Sequence, residues 1–162
     1  MIAIHLLRHA HAGDPAKWDG DDAARPLSEK GRRQAKDLGG LLAVIDEPPD
    51  LFITSPKVRS VQTAEIVAKA MRNRVKVVVD ERLAGALDPV TVNAILDTAG
   101  NAFRPCIVGH DPDFSELLGE FIGTAPIPMR KASLARIDFV GDDVTLGQGT
   151  LRYLLPPELV PG

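Results

Sequence analysis

Cysteine is almost missing from this chain: Cys106 is the one copy in 162 residues, so no internal disulfide can form. That suits a reducing compartment. A chain of this length buries roughly two-thirds of the surface it exposes when unfolded, so a hydrophobic core suffices without covalent staples. Long apolar runs are also missing. No stretch approaches the ~20 apolar residues that span a bilayer, so no membrane segment is expected. The opening MIAIHLLRHA reaches an Arg and a His after seven residues. It has no basic n-region and no small-residue cleavage site, which does not read as a secretory signal. Neither sign of charge dominates. Nineteen Lys and Arg against 22 Asp and Glu leave a net charge of −3, which argues against bulk electrostatic binding to nucleic acid or to an anionic membrane. Heptads, internal repeats and low-complexity tracts do not stand out. The expectation is one domain over residues 1–162, cytoplasmic and, with no oligomer interface legible, monomeric.

What is present is ordinary for a soluble globular protein: 44% apolar and 25% charged residues. Residues 2–8 (IAIHLLR) read as a buried strand. Residues 12–27, rich in Gly, Asp and Pro, read as a long loop. Ser28 then resembles an N-cap, and Ala35, Leu38, Leu41, Leu42 and Ile45 recur at helical spacing to about Asp46. Pro48-Pro49 end that helix. Residues 50–54 read as a strand, and Ser55-Pro56 as the start of a helix whose buried stripe runs from Val61 to Met71. The β-branched run 75–79 predicts a third strand, 80–88 a loop and 89–99 a short helix. Residues 105–109 predict another buried strand, and Asp111-Pro112 the start of a helix with an apolar face from Phe114 to Ile122. Residues 134–140 and 150–155 predict a hairpin at a sheet edge. Strands alternating with helices imply an α/β three-layer sandwich, with a mostly parallel central sheet and helices on both faces.

In such sheets, ligands bind outside the carboxyl ends of the strands. Arg8-His9, Ser55 to Arg59, and Gly109-His110 all fall at predicted strand ends. Arg8 and Arg59 are forked cations suited to phosphate oxygens, and two helix N-termini add free N–H groups. A neutral imidazole can attack phosphorus and form a covalent phospho-imidazole. Nearby arginines favour that neutral form, offset the charge of the phosphoryl group and hold it in line. One histidine would then be the nucleophile and the other a hydrogen-bond donor to phosphate.

Three stretches carry a family resemblance. LLRHA at 6–10 resembles the Arg-His-Gly signature of the histidine phosphatase superfamily, the group that includes the phosphoglycerate mutases, with Ala10 in place of the glycine. TSPKVRSVQTA at 54–64 is similar to its second motif, and VGHDPDFSELL at 108–118 to its third. RPLSEKGRRQA at 25–35 and the small size are similar to the SixA-type phosphohistidine phosphatases. The resemblance implies a phosphoglycerate mutase-like fold, His9 as nucleophile, and Arg8, Arg59 and His110 as phosphate ligands. Arg25 is expected at the rim, with Ser28 as a second substrate contact.

One departure is informative. Many larger members carry a glutamate as general acid shortly after the third strand, where this chain reads Arg82-Leu83-Ala84-Gly85, with Gly85 at the acid's place. Phosphate esters leave as poor alkoxides and benefit from a proton donor, whereas phosphohistidine leaves as an imidazole. The missing acid therefore favours a P–N substrate on a phosphorylated protein, with Asp80 or Glu81 as possible stand-ins. The alternatives are a phosphomonoesterase acting on a small phosphorylated metabolite or nucleotide, and a binding module without catalysis. No cofactor is expected. His5, His9 and His11 share strand parity, but no Cys or carboxylate at ligand spacing supports them and the arginines would repel a cation, so no metal is expected. Cys106 reads as a core residue, Ser55 and Ser115 lack a nucleophile elbow, and Trp18 reads as lining the mouth of the site or covering the core.

Overall fold

The first strand, β1 (Ile2–Arg8), alternates its side chains between two apolar layers. Ile4 and Leu6 enter one buried cluster and Leu7 the other. The computed structural model describes residues 1–72 and 75–162. The remaining strands are β2 (Leu51–Thr54), β3 (Lys76–Val79), β4 (Pro105–Gly109), β5 (Leu134–Phe139) and β6 (Thr150–Leu155). They form one sheet in the order β3-β2-β4-β1-β5-β6. The β2–β3, β2–β4 and β1–β4 pairs are parallel, while β5 and β6 run as an antiparallel hairpin on the β1 side. The mostly parallel sheet and the edge hairpin are as the sequence predicts.

Helices α1 (Glu29–Leu42) and α2 (Val58–Ala70) cover one face, and α3 (Pro89–Asp97) and α4 (Asp113–Ile122) the other. On α4, Phe114, Leu117, Leu118 and Phe121 are each at most 1% exposed, and fully burying such a side chain contributes about 1.5–3 kcal/mol. No helix among the described residues is long and apolar enough to cross a membrane.

Several details differ from the sequence reading. Helix α1 stops at Leu42, not near Asp46, and Glu47 takes a left-handed φ of 55°. Ile45 still packs on the helical cluster from the following turn, which is why the apolar periodicity overran the helix. Ser55 does not cap α2. Lys57 is the N-cap, and the Ser55 hydroxyl instead accepts a hydrogen bond from the Lys57 N–H at 3.3 Å and meets His110. The 12–27 loop is also less irregular than its composition suggests, because Asp14 and Asp21 each cap a short 3-10 turn.

Candidate active site

The order β2-β4-β1 places three polar strand ends side by side. Arg8 pairs with Gly109 in register, the His9 N–H donates to the Gly109 carbonyl at 2.9 Å, and the Ser55 N–H donates to the Val108 carbonyl at 3.0 Å. His9 leaves β1, His110 leaves β4, and Arg59 stands in the first turn of α2. The two imidazoles lie 5.4 Å apart between centroids.

His9 is 5% exposed. Its Nδ1 lies 2.8 Å from the Ala10 carbonyl oxygen. A carbonyl only accepts, so Nδ1 carries the proton and Nε2 keeps its lone pair. That is the tautomer a nucleophile needs. Ala10 serves where the family signature has glycine because its backbone does not enter the left-handed region; its N–H donates to Thr63 Oγ1 at 3.1 Å. Ala132, at φ 63°, aims its N–H at the carbonyls of both Arg8 and His9, 3.1 Å from each. Behind the nucleophile, a Cβ on Gly31 would stand 2.0 Å from the His11 carbonyl, so glycine alone lets α1 seat against this segment.

The cationic groups have free capacity. Arg8 donates through Nη1 to the Met129 carbonyl at 2.7 Å and pairs with Asp111 at 3.4 Å, while its Nε is buried with no partner among the described residues. The Nε of Arg59 and the Nδ1 of His110 are likewise buried and unpartnered. His110 Nε2 lies 2.8 Å from the Ser55 hydroxyl. When that hydroxyl donates, His110 Nδ1 carries a proton for an acceptor elsewhere. Unpaired buried donors are costly, and an oxyanion relieves the cost.

Burial pushes His9 down from the usual histidine range to about 3, with His110, Arg59 and Arg8 adding repulsion. His110 also lies at about 3, through burial and then the charges of Lys57, Arg59 and Arg8. His5, within the sheet, falls to about 3 through burial and Arg136. All three are neutral at pH 7. Their folded values lie below the unfolded value near 6.5, so the unfolded chain binds more protons as pH falls through that window. The stability they preserve is complete above about pH 6.5 and is lost toward pH 3. The thermal midpoint is expected to drop on the order of 10 °C between pH 7 and pH 5. A flat calorimetric profile over that range would contradict the neutral assignment.

The other residues singled out in the sequence also make contacts within the fold. Arg25, expected at the rim, also holds the loop together. It is 6% exposed, with Nη1 on the Ala12 carbonyl at 2.7 Å and Nε on Asp22 at 3.1 Å, and so organises the loop. Ser28 caps α1 through the Gly31 N–H at 3.1 Å and meets His11 Nδ1 at 2.6 Å, which occupies its hydroxyl within the fold. Trp18 lies on the loop surface, its indole N–H on the Asp21 carbonyl at 2.9 Å. Cys106 is buried in the core. Asp80 is gripped by Arg82 at 2.6 and 2.9 Å, and that bond holds its carboxyl below the usual range.

Four contributors escaped the sequence reading as site residues. Ser55 supports His110, and Asp111 pairs with Arg8. Lys131 lines a small pocket with Arg8, and burial with the charges of Arg8, Arg25 and Arg59 lowers its pKa. Asp22 reaches from the long loop onto Arg59, with its carboxylate oxygen 3.0 Å from Nη2. Ser55 and Asp111 sit inside motifs and were legible as neighbours of the site. Asp22 and Lys131 carry no signal beyond their place in loops.

The sequence model of the Histidine phosphatase superfamily (branch 1) matches residues 4–86, which include Arg8, His9 and Arg59 but not His110. No curated protein matches the chain by sequence. Among solved structures, the protein histidine phosphatase SixA complexed with tungstate is 22% identical at a TM-score of 0.80, covering 96% of this chain and 97% of that one. A protein assigned as the SixA phosphohistidine phosphatase of Agrobacterium tumefaciens is 24% identical at 0.78, covering 96% and 98%. A mycobacterial glucosyl-3-phosphoglycerate phosphatase with VO3 is 15% identical at 0.73, covering 96% and 100%.

Proposed function

This chain belongs to the histidine phosphatase superfamily, and on that premise we propose that it hydrolyses phosphohistidine on a protein through a covalent phospho-His9 intermediate. The Nε2 lone pair of His9 attacks phosphorus. The new bond is N–P, and the bond that breaks joins phosphorus to the substrate's ring nitrogen. When the other nitrogen of that ring is protonated, the leaving group departs as neutral imidazole. Water then attacks phospho-His9, its oxygen bonds to phosphorus, the N–P bond returns its electrons to Nε2, and phosphate is released. Arg8, Arg59 and His110 hold the phosphoryl oxygens while charge redistributes. The two guanidinium groups supply the positive charge a metal would, so turnover is expected to persist with a chelator present.

The observation that carries the phosphohistidine reading is the lack of an acid. Gly85 stands where the family's glutamate is expected, and Asp80 is bound to Arg82 and held ionised near neutral pH. Neither position then offers an ester's alkoxide a proton, whereas an imidazole already protonated on its other nitrogen needs none. General acids contribute about 10²–10⁴-fold. The comparison of kcat/KM for a phosphohistidine protein against sugar phosphates, nucleotides and aryl phosphates should therefore favour the protein by at least ~10²-fold. His9→Ala serves as the control. Equal or faster turnover of any ester would overturn the assignment in favour of the one alternative with an observation behind it. His9 is 5% exposed, and so deep a nucleophile also suits a small phosphorylated metabolite.

A further inference from the structure

Arg59 is not idle in this structure. Its Nη1 donates to the Asp22 backbone carbonyl at 2.8 Å and its Nη2 to the Asp22 carboxylate at 3.0 Å. The second carboxylate oxygen accepts from Arg25 Nε at 3.1 Å. Asp22 thus presents to the Arg59 fork what a phosphoryl group presents: oxygen acceptors and negative charge. The Asp22 side chain is 55% exposed and that of Arg59 only 6%, so Asp22 covers the guanidinium on its solvent side. It sits on the short turn Asp22–Ala24, none of whose residues is buried. A segment with few buried contacts opens at low cost.

We propose that Asp22 is a displaceable occupant of the phosphoryl site, which lowers the affinity of Arg59 for substrate and product phosphate alike. An incoming phosphoryl group that takes the terminal fork of Arg59 must push the carboxylate aside, and the carboxylate returns as phosphate departs. Asp22 therefore sets KM and product inhibition together and leaves the chemical step nearly untouched. The inference rests on the reading of Arg59 as a phosphate ligand, and it does not depend on which phosphorylated compound is the substrate.

Binding of inorganic phosphate by titration calorimetry tests it. Asp22→Asn keeps the size and the backbone contact but removes the charge. The expected result is about fivefold tighter phosphate binding, the scale of one partly exposed ion pair, a matching fall in KM, and kcat changed less than about twofold. Asp22→Ala should follow the same direction and guards against an asparagine-specific contact. A purely long-range repulsion would also tighten binding, so the comparison is repeated in an Arg59→Lys background. Lysine keeps the charge but has no fork to share, and there the gain should shrink below about twofold. Unchanged or weaker phosphate binding in Asp22→Asn overturns the proposal and makes Asp22 a positioning residue or a bystander. An equal gain in both backgrounds overturns it too. Failure of the unmodified protein and of Asp22→Asn to bind phosphate removes the reading of Arg59 and the proposal with it. Phosphate binding without phosphohistidine turnover would remove the substrate assignment alone.

Discussion

His9→Asn is expected to abolish turnover, by on the order of 10⁴-fold or more in kcat, the scale seen when a covalent nucleophile is removed. The loss should be one of chemistry rather than of folding. Asparagine can still donate to the Ala10 carbonyl that fixes the His9 ring at 2.8 Å, and it fills much of the same buried space. Phosphate binding should survive, because Arg8, Arg59 and His110 are untouched. The separation of kcat from binding is the informative part. A variant that loses phosphate affinity in proportion to turnover would make His9 a ligand instead of a nucleophile. Steady-state phosphate release, paired with calorimetry on the same preparation, reads both.

Arg59→Ala is expected to lower kcat/KM by about 10²–10³-fold, the scale of removing one preorganised donor from a site of developing charge. Arg59→Lys should recover part of that loss, because it keeps the charge but not the planar fork. A structural role would give a similar loss of activity, so the pH profile decides. Arg59 repels a proton from both His9 and His110. With its charge removed, both histidines gain protons more readily, and the acid limb of the rate profile moves upward. Arg59→Lys should leave that limb near its original place. An acid limb that does not move in Arg59→Ala would show that the guanidinium does not act on the histidines.

The legibility of this chain followed what each feature depends on. Strand β1 was readable because Ile2–Leu7 is apolar apart from His5, and α4 because Phe114, Leu117, Leu118 and Phe121 repeat on one face; both depend on burial, which sequence pattern records. The carboxyl-end rule gathered Arg8-His9, Arg59 and His110 before any coordinates. The sheet order that makes β1, β4 and β2 adjacent was not readable, because pairing is a long-range choice among strands of similar composition. The end of α1 was missed because Ile45 packs on the core from a turn. The part Arg25 plays in the loop was not legible, because a motif arginine can serve the loop as well as the ligand. Nothing in the sequence separates those roles until the Ala12 carbonyl and Asp22 are seen around it. Asp22 itself was unreadable: its partner lies 37 positions away, and a loop rich in aspartates gives no reason to single it out.

The central claim is that His9 Nε2 becomes phosphorylated, and rapid-quench trapping tests it most directly. The protein is mixed with a ³²P-labelled phosphohistidine protein, quenched in alkali within the first turnover and mapped by peptide. The account predicts a label on the peptide containing His9, stable to alkali, lost in acid, and absent from His9→Asn. Release of phosphate by the unmodified protein with no label on any histidine, or a label that persists in His9→Asn, would contradict it.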